Sequence, residues 1–315
     1  QITGVGGVPA TGVVAVAMNV TVTESNAPSF TTVFPTGQPR PTTSNLNVIQ
    51  ANQTRPNLVI VPIGAGGKVS LYSLAGSHLL ADVAGYFVNQ PTATTDGRMI
   101  TLAPDRLFDT RTNTIPALAG KVAAGGTIKV PVLGRAGVPA TGASAVIMNV
   151  TATETDGAGF VVVWPGTGTR PTASNLNFDA RGQTAPNQVI VPIAPDGTVS
   201  LYASSGAHLL ADVTGYVTDG TASSALTGLF VPLPPARVFD TRASESAPGP
   251  KGLLPASGSI SPEIAGVAAI PASAGGVVLN ITGTQSSAVG FITAYPKGIT
   301  RPNTSTVNLA GAGDT

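Results

Sequence analysis

The chain has 315 residues, 16 Lys and Arg against 15 Asp and Glu, two His and no Cys. A net charge of +1 without a basic block excludes nucleic acid as a natural partner. The lack of Cys excludes disulfides and thiolate chemistry, and no apolar run reaches the roughly 18 residues of a membrane-spanning helix.

Strand signals begin near the N-terminus. Val14, Val16, Met18, Val20 and Val22 alternate with Ala15, Ala17, Asn19, Thr21 and Thr23, which predicts a strand with one buried face. Further β-rich runs follow at Phe30–Phe34, Leu58–Pro62, Val69–Tyr72, Leu79–Val83 and Thr127–Val132. Turn signals separate such runs: PTG at 35–37, GAGG at 64–67 and PDG at 195–197. No segment shows helical spacing with caps. An apolar share of 42% supplies a core, so the expectation is all-β: tandem β-sandwich domains, with small closed β-barrels as the alternative.

The chain repeats itself. GVPATG at Gly7–Gly12 returns 130 positions later at Gly137–Gly142. MNVT ending at Thr21 returns at Thr151, and as LNIT at Thr282. RPTTSNLNV (Arg40–Val48) returns as RPTASNLNF (Arg170–Phe178) and RPNTSTVNL (Arg301–Leu309). A period near 130 residues is the size of a domain, too long for a solenoid rung. The linker-like stretches 89–97 and 218–225 divide the chain into 1–97, 98–219 and 225–315. On this division the first unit lacks the strands that open the second, and the third lacks its last strands. Together with Gln1 in place of an initiator Met, this reads as a window cut from a longer array. Residues 250–268 depart most from the second unit.

Candidate catalytic groups are few. His78 and His208 each precede an aspartate, Asp82 or Asp212, by four positions, and Ser70 and Ser200 lie nearby in sequence. A Ser–His–Asp reading lacks a nucleophile elbow, so no enzyme activity is expected. Zinc has too few ligands, calcium has no acidic cluster, and no metal or cofactor is expected. Asp82, Asp212, Asp109, Arg111, Asp240 and Arg242 recur in a chain that uses few charges. A lone buried charge is costly, so these residues are expected to form a structural latch. Asn19, Asn149 and Asn280 stand mid-strand, where Asn is disfavoured; the reading is that they satisfy loop backbone groups. Phe34, Trp164 and Tyr295 precede a proline at one repeat position. They are the candidate binding residues, as exposed rings for stacking on a sugar or inserting into a neighbour; the competing reading folds each ring over the end of its core.

The set RLFDTR, GVPATG, MNVT, RPTASNLN, PNQVIVPI and LLADVTGY resembles a module of secreted proteins from actinobacteria and related Gram-positive lineages. That module often stands in tandem, sometimes beside peptidoglycan amidases. The resemblance implies an extracellular or cell-surface location and brings no catalytic activity with it. The expected function is a structural or adhesive repeat protein that polymerises into a filament, sheath or surface layer. The alternative is a cell-wall glycan-binding appendage of a secreted hydrolase.

Overall fold

The computed structural model describes residues 1–314 other than 91 and 113, so Pro91 of the first linker lies outside the described residues. The fold is all-β. The first unit contributes β1 (Val13–Thr23), β2 (Ser29–Pro35), β3 (Leu46–Val48), β4 (Arg55–Pro62), β5 (Val69–Ser73) and β6 (His78–Val88). The second contributes β7 (Met99–Asp109), β8 (Gly126–Pro131), β9 (Ala143–Thr153), β10 (Gly159–Pro165), β11 (Leu176–Phe178), β12 (Ala185–Pro192), β13 (Thr198–Ala203) and β14 (His208–Thr218). The third shows β15 (Gly290–Ile292) and β16 (Val307–Leu309). Among the described residues there is no α-helix, and none long and apolar enough to cross a membrane.

The second unit is a sandwich of two four-stranded antiparallel sheets, ordered β12-β9-β14-β7 and β11-β10-β13-β8. Period-2 alternation places Val146, Met148 and Val150 of β9 between the sheets, against Val161 and Val163 of β10 and Leu201 of β13. Each such side chain contributes about 1.5–3 kcal/mol by leaving water. Every sheet partner and core side chain of this unit lies within its own residues. Its sandwich is complete in its own residues. No barrel closes, because both sheets keep two free edges.

The first unit repeats six of these strands, with β1, β2, β3, β4 and β6 displaced by 130 positions from β9, β10, β11, β12 and β14. Its sheets are β4-β1-β6 and β3-β2-β5, without counterparts of β7 and β8. Leu71 on β5 is consequently 36% exposed, whereas its counterpart Leu201 is fully buried. The third unit departs from the expected β-domain: among its described residues only the local hairpin β15–β16 forms. The reason is pairing. In the second unit β7 pairs with β14, and β9 with β12 and β14; the described residues of the third unit hold no strand in the place of β12 or β14.

One expectation about β1 is corrected. Its supposed solvent face is also buried: Ala15, Ala17, Asn19 and Thr21 are all covered, as are Ile147, Asn149 and Thr151 on β9. A neighbouring unit supplies the cover. The linkers are also more ordered than their composition suggests. Thr94 and Ala225 exchange backbone hydrogen bonds between the two stretches. Buried Arg98 donates to the carbonyls of Ser223 (2.6 Å) and Thr227 (3.1 Å), fastening one linker to the other.

Candidate functional site

The feature that links the units is a junction built three times. Asn19 Nδ2 donates to the Ser174 carbonyl at 2.7 Å, from the first unit to the second. Asn149 Nδ2 donates to the Ser305 carbonyl at 2.6 Å, from the second to the third. Asn280 Nδ2 donates to the Ser44 carbonyl at 2.7 Å, from the third back to the first. The three donors occupy one repeat position and the three acceptors another, so the contacts close cyclically about a pseudo-threefold axis.

A second set of amides reinforces the first. Asn187 Nδ2 donates to Asn19 Oδ1 at 2.8 Å, and Asn57 Nδ2 donates to Asn280 Oδ1 at the same distance. Asn187 Oδ1 in turn accepts from the Leu58 amide of β4 at 3.2 Å. An ion pair from Arg55 Nη1 to Asp179 Oδ2 (2.6 Å) flanks the junction between units one and two. It has no repeat elsewhere, since the counterparts of Arg55 and Asp179 are Ala185, Ile49 and Ala310.

The RPTxSN motif builds the acceptor. Asn175 Oδ1 accepts from the Val163 amide at 2.6 Å, and the Asn175 carbonyl accepts from Asn187 at 2.6 Å. The loop is thereby pinned to β10 and β12, and the Ser174 carbonyl is presented outward. Asn45 does the same with Val33 and Asn57, both at 2.7 Å. In the third unit Thr306 takes this place, its hydroxyl accepting from the Ala294 amide at 3.0 Å. At the start of the loop Arg170 lies 3.7 Å over the Tyr202 ring, and Arg40 lies 4.1 Å over Tyr72.

The recurring charges form two latches. Asp109 Oδ1 accepts from the Arg111 amide and Nε, both at 3.0 Å; its Oδ2 accepts from Arg111 Nη2 and Arg106 Nη1, both at 2.7 Å. Burial pushes the Asp109 carboxyl up, but the hydrogen bonds and charges of Arg111 and Arg106 outweigh it and hold it below the usual range. Asp240 repeats the arrangement with Arg242 and Arg237. Hydrogen bonding from Arg242 is the main reason its carboxyl is also depressed. Asp212 pairs with Arg106 Nε and accepts from the Ser305 amide of the third unit at 3.4 Å. Burial nevertheless raises it. Burial raises Asp82 too; among the described residues its sheet, β4-β1-β6, has no strand in the place that β7 takes beside β14.

The aromatic–proline corner is not an exposed platform. Trp164 is 8% exposed, and Phe34 and Tyr295 are half-buried. The β10–β11 loop, anchored by Asn175 and Arg170, runs from this corner back to β10 and β13. The histidine, aspartate and serine positions do not converge. His208 Nδ1 meets the Thr110 hydroxyl at 3.0 Å, Asp212 meets Arg106, and the Ser200 hydroxyl donates to the Gly166 carbonyl at 3.4 Å. His78 faces Glu24 at 3.5 Å on the surface.

Sequence reasoning directed the mid-strand asparagines to loop backbone groups but not to those of another unit. It missed Arg55–Asp179 and Arg98, which carry no repeat signal. Compared with known proteins, the chain matches no family model, and no curated protein matches it.

Proposed function

We propose that the chain is a non-catalytic structural or adhesive repeat protein of the bacterial cell exterior, whose units are fastened three at a time into a closed block. The observation that carries this reading is the cyclic set of asparagine-to-carbonyl bonds, which spends mid-strand positions on joining units. The separate placement of His208, Asp212 and Ser200 supports the non-catalytic part. The exterior location rests on the motif resemblance and the charge-poor composition. Closure satisfies the junction donors and acceptors within the chain. Growth into a filament, sheath or layer therefore uses the outward sheets, where sparse charge offers little repulsion.

A second reading is cell-wall glycan binding. It is favoured by one outward feature: Phe30 beside Tyr72 and Phe160 beside Tyr202, ring centroids 5.8 and 6.0 Å apart, each pair with an arginine. X-ray and light scattering on the intact chain separate the two. The structural reading expects a particle with a radius of gyration near the ~20 Å of a compact chain this long, associating as concentration rises. A dispersed monomer that responds only to added peptidoglycan fragments would overturn it in favour of glycan binding.

A further inference from the structure

We infer that a single unit of this protein is a self-trimerising module: three separate copies of the second unit associate through the same face that joins the three units within the chain. The partner is a second and third copy of the unit itself. The inference goes beyond the function proposed above and holds whatever the protein's location.

The argument starts from Asn149. Its side-chain amide bonds to the Ser305 carbonyl of the next unit, and no hydrogen bond to its own unit accompanies that contact. Asn is disfavoured in a strand interior, and a buried amide left unpaired costs stability. The residue therefore makes physical sense only when another unit is present. The second unit also carries the acceptor, since its Ser174 carbonyl receives Asn19 of the first unit. Donor and acceptor thus occupy different patches of one module, which is a heterologous contact. Such contacts form rings when the rotation closes and fibres when it does not. Here closure is visible, because Asn280 of the third unit reaches Ser44 of the first. Asn187 completes the set: it donates to Asn19 across one junction while its Oδ1 receives Leu58. In a ring of identical copies Asn187 would meet Asn149 of the neighbour, and every junction would hold the full amide set.

The intact chain uses these contacts at the high effective concentration set by its linkers. Free copies lack that advantage, so the trimer forms reversibly and responds to concentration. One natural contact is lost: Asp179 faces Arg55 in the chain but would face Ala185 in a ring of second units.

The test uses residues 98–228, which keep both sheets of the second unit and Arg98 with the carbonyls of Ser223 and Thr227. Circular dichroism and a cooperative melt establish folding, and sedimentation equilibrium then reads mass against concentration. The expected result is a monomer–trimer equilibrium. Asn149→Ala, which removes no bond within the unit but two across each junction, should weaken it roughly 30- to 700-fold per junction. Ala185→Arg should strengthen it about two- to five-fold per junction, in a salt-sensitive way, by recreating the pair with Asp179. A folded segment that stays monomeric up to its solubility limit overturns the inference. So do dimers, open-ended polymers, or a trimer indifferent to Asn149→Ala. A segment that fails to fold overturns it as well, since the inference requires a module complete in itself.

Discussion

Replacing Asn19 with alanine in the intact chain tests the junction where its bonds are most fully defined. The substitution removes the 2.7 Å bond to the Ser174 carbonyl and the 2.8 Å bond from Asn187. Alanine suits the adjoining surface, where Ala15 and Ala17 are already covered, so no overpacking arises. Each lost hydrogen bond is worth about 1 kcal/mol, and a carbonyl stranded away from water adds about 1–2 kcal/mol. The junction between units one and two should therefore weaken by about 2–4 kcal/mol. Hydrogen exchange at Leu58 reads this directly, because its amide bonds across the junction to Asn187 rather than within its own sheet. At about 1.4 kcal/mol per decade, its exchange should accelerate roughly 30- to 700-fold. Amides in the centre of β9 should be unaffected. Unchanged Leu58 exchange in a folded Asn19→Ala protein would refute the claim that the asparagine bonds hold the units together.

Asp109→Asn should lower the stability of the second unit by about 2 kcal/mol, less than for a fully buried pair because both arginine partners reach solvent. A fall of several degrees in its melting temperature checks this. Acid should act through the same group. The depressed Asp109 carboxyl contributes stability that is present above its unfolded value of about 3.9 and is lost as pH falls towards the lower folded value. Asp212 has the opposite sign: its raised carboxyl weighs against folding at neutral pH and is relieved as pH drops through the folded value. Melting temperature against pH should thus fall steeply only below about pH 4, and less steeply in Asp109→Asn. His208→Ala, which removes one partner of the Thr110 hydroxyl and leaves the Leu209 amide, should lower stability slightly. Any peptidoglycan-cleaving activity lost by that variant while it stays folded would contradict the non-catalytic reading.

The strand inventory was legible because alternation and turn residues are local signals. Val16, Met18, Val20 and Val22 face the core as their spacing requires, and the 130-residue repeat carries over to the strand bounds. The other face of β1 misled, because Ala, Asn and Thr look alike whether they meet water or a neighbouring domain. The one local clue was an asparagine where a strand has no use for one. The aromatic position misled for a related reason: Trp164 before a proline has the composition of an exposed platform, yet in the fold it is buried. The third unit could not be judged from its own residues, because β7-like and β9-like sequences need as partners strands like β12 and β14, which come later along the chain and not beside them.

The choice of asparagine explains how one surface serves three junctions. Its side chain donates and accepts at once, so Asn19 gives a bond to Ser174 and takes one from Asn187 without introducing a charge. A charged residue at the same buried position would need a counter-ion in every junction, and each pair would carry its own desolvation cost. A purely apolar face would join units in any register. The amides demand a carbonyl at a set place, which the anchored Ser–Asn loop provides. The junctions also differ: Arg55–Asp179 marks the first, and the bonds from Arg106 to the Asn303 carbonyl and from the Ser305 amide to Asp212 mark the second. Because the Arg55–Asp179 pair is part-exposed, its energy is small. Heterologous faces that fail to close build fibres. Here the bond from Asn280 to Ser44 joins the last donor to the first acceptor, and a surface able to propagate is turned inward.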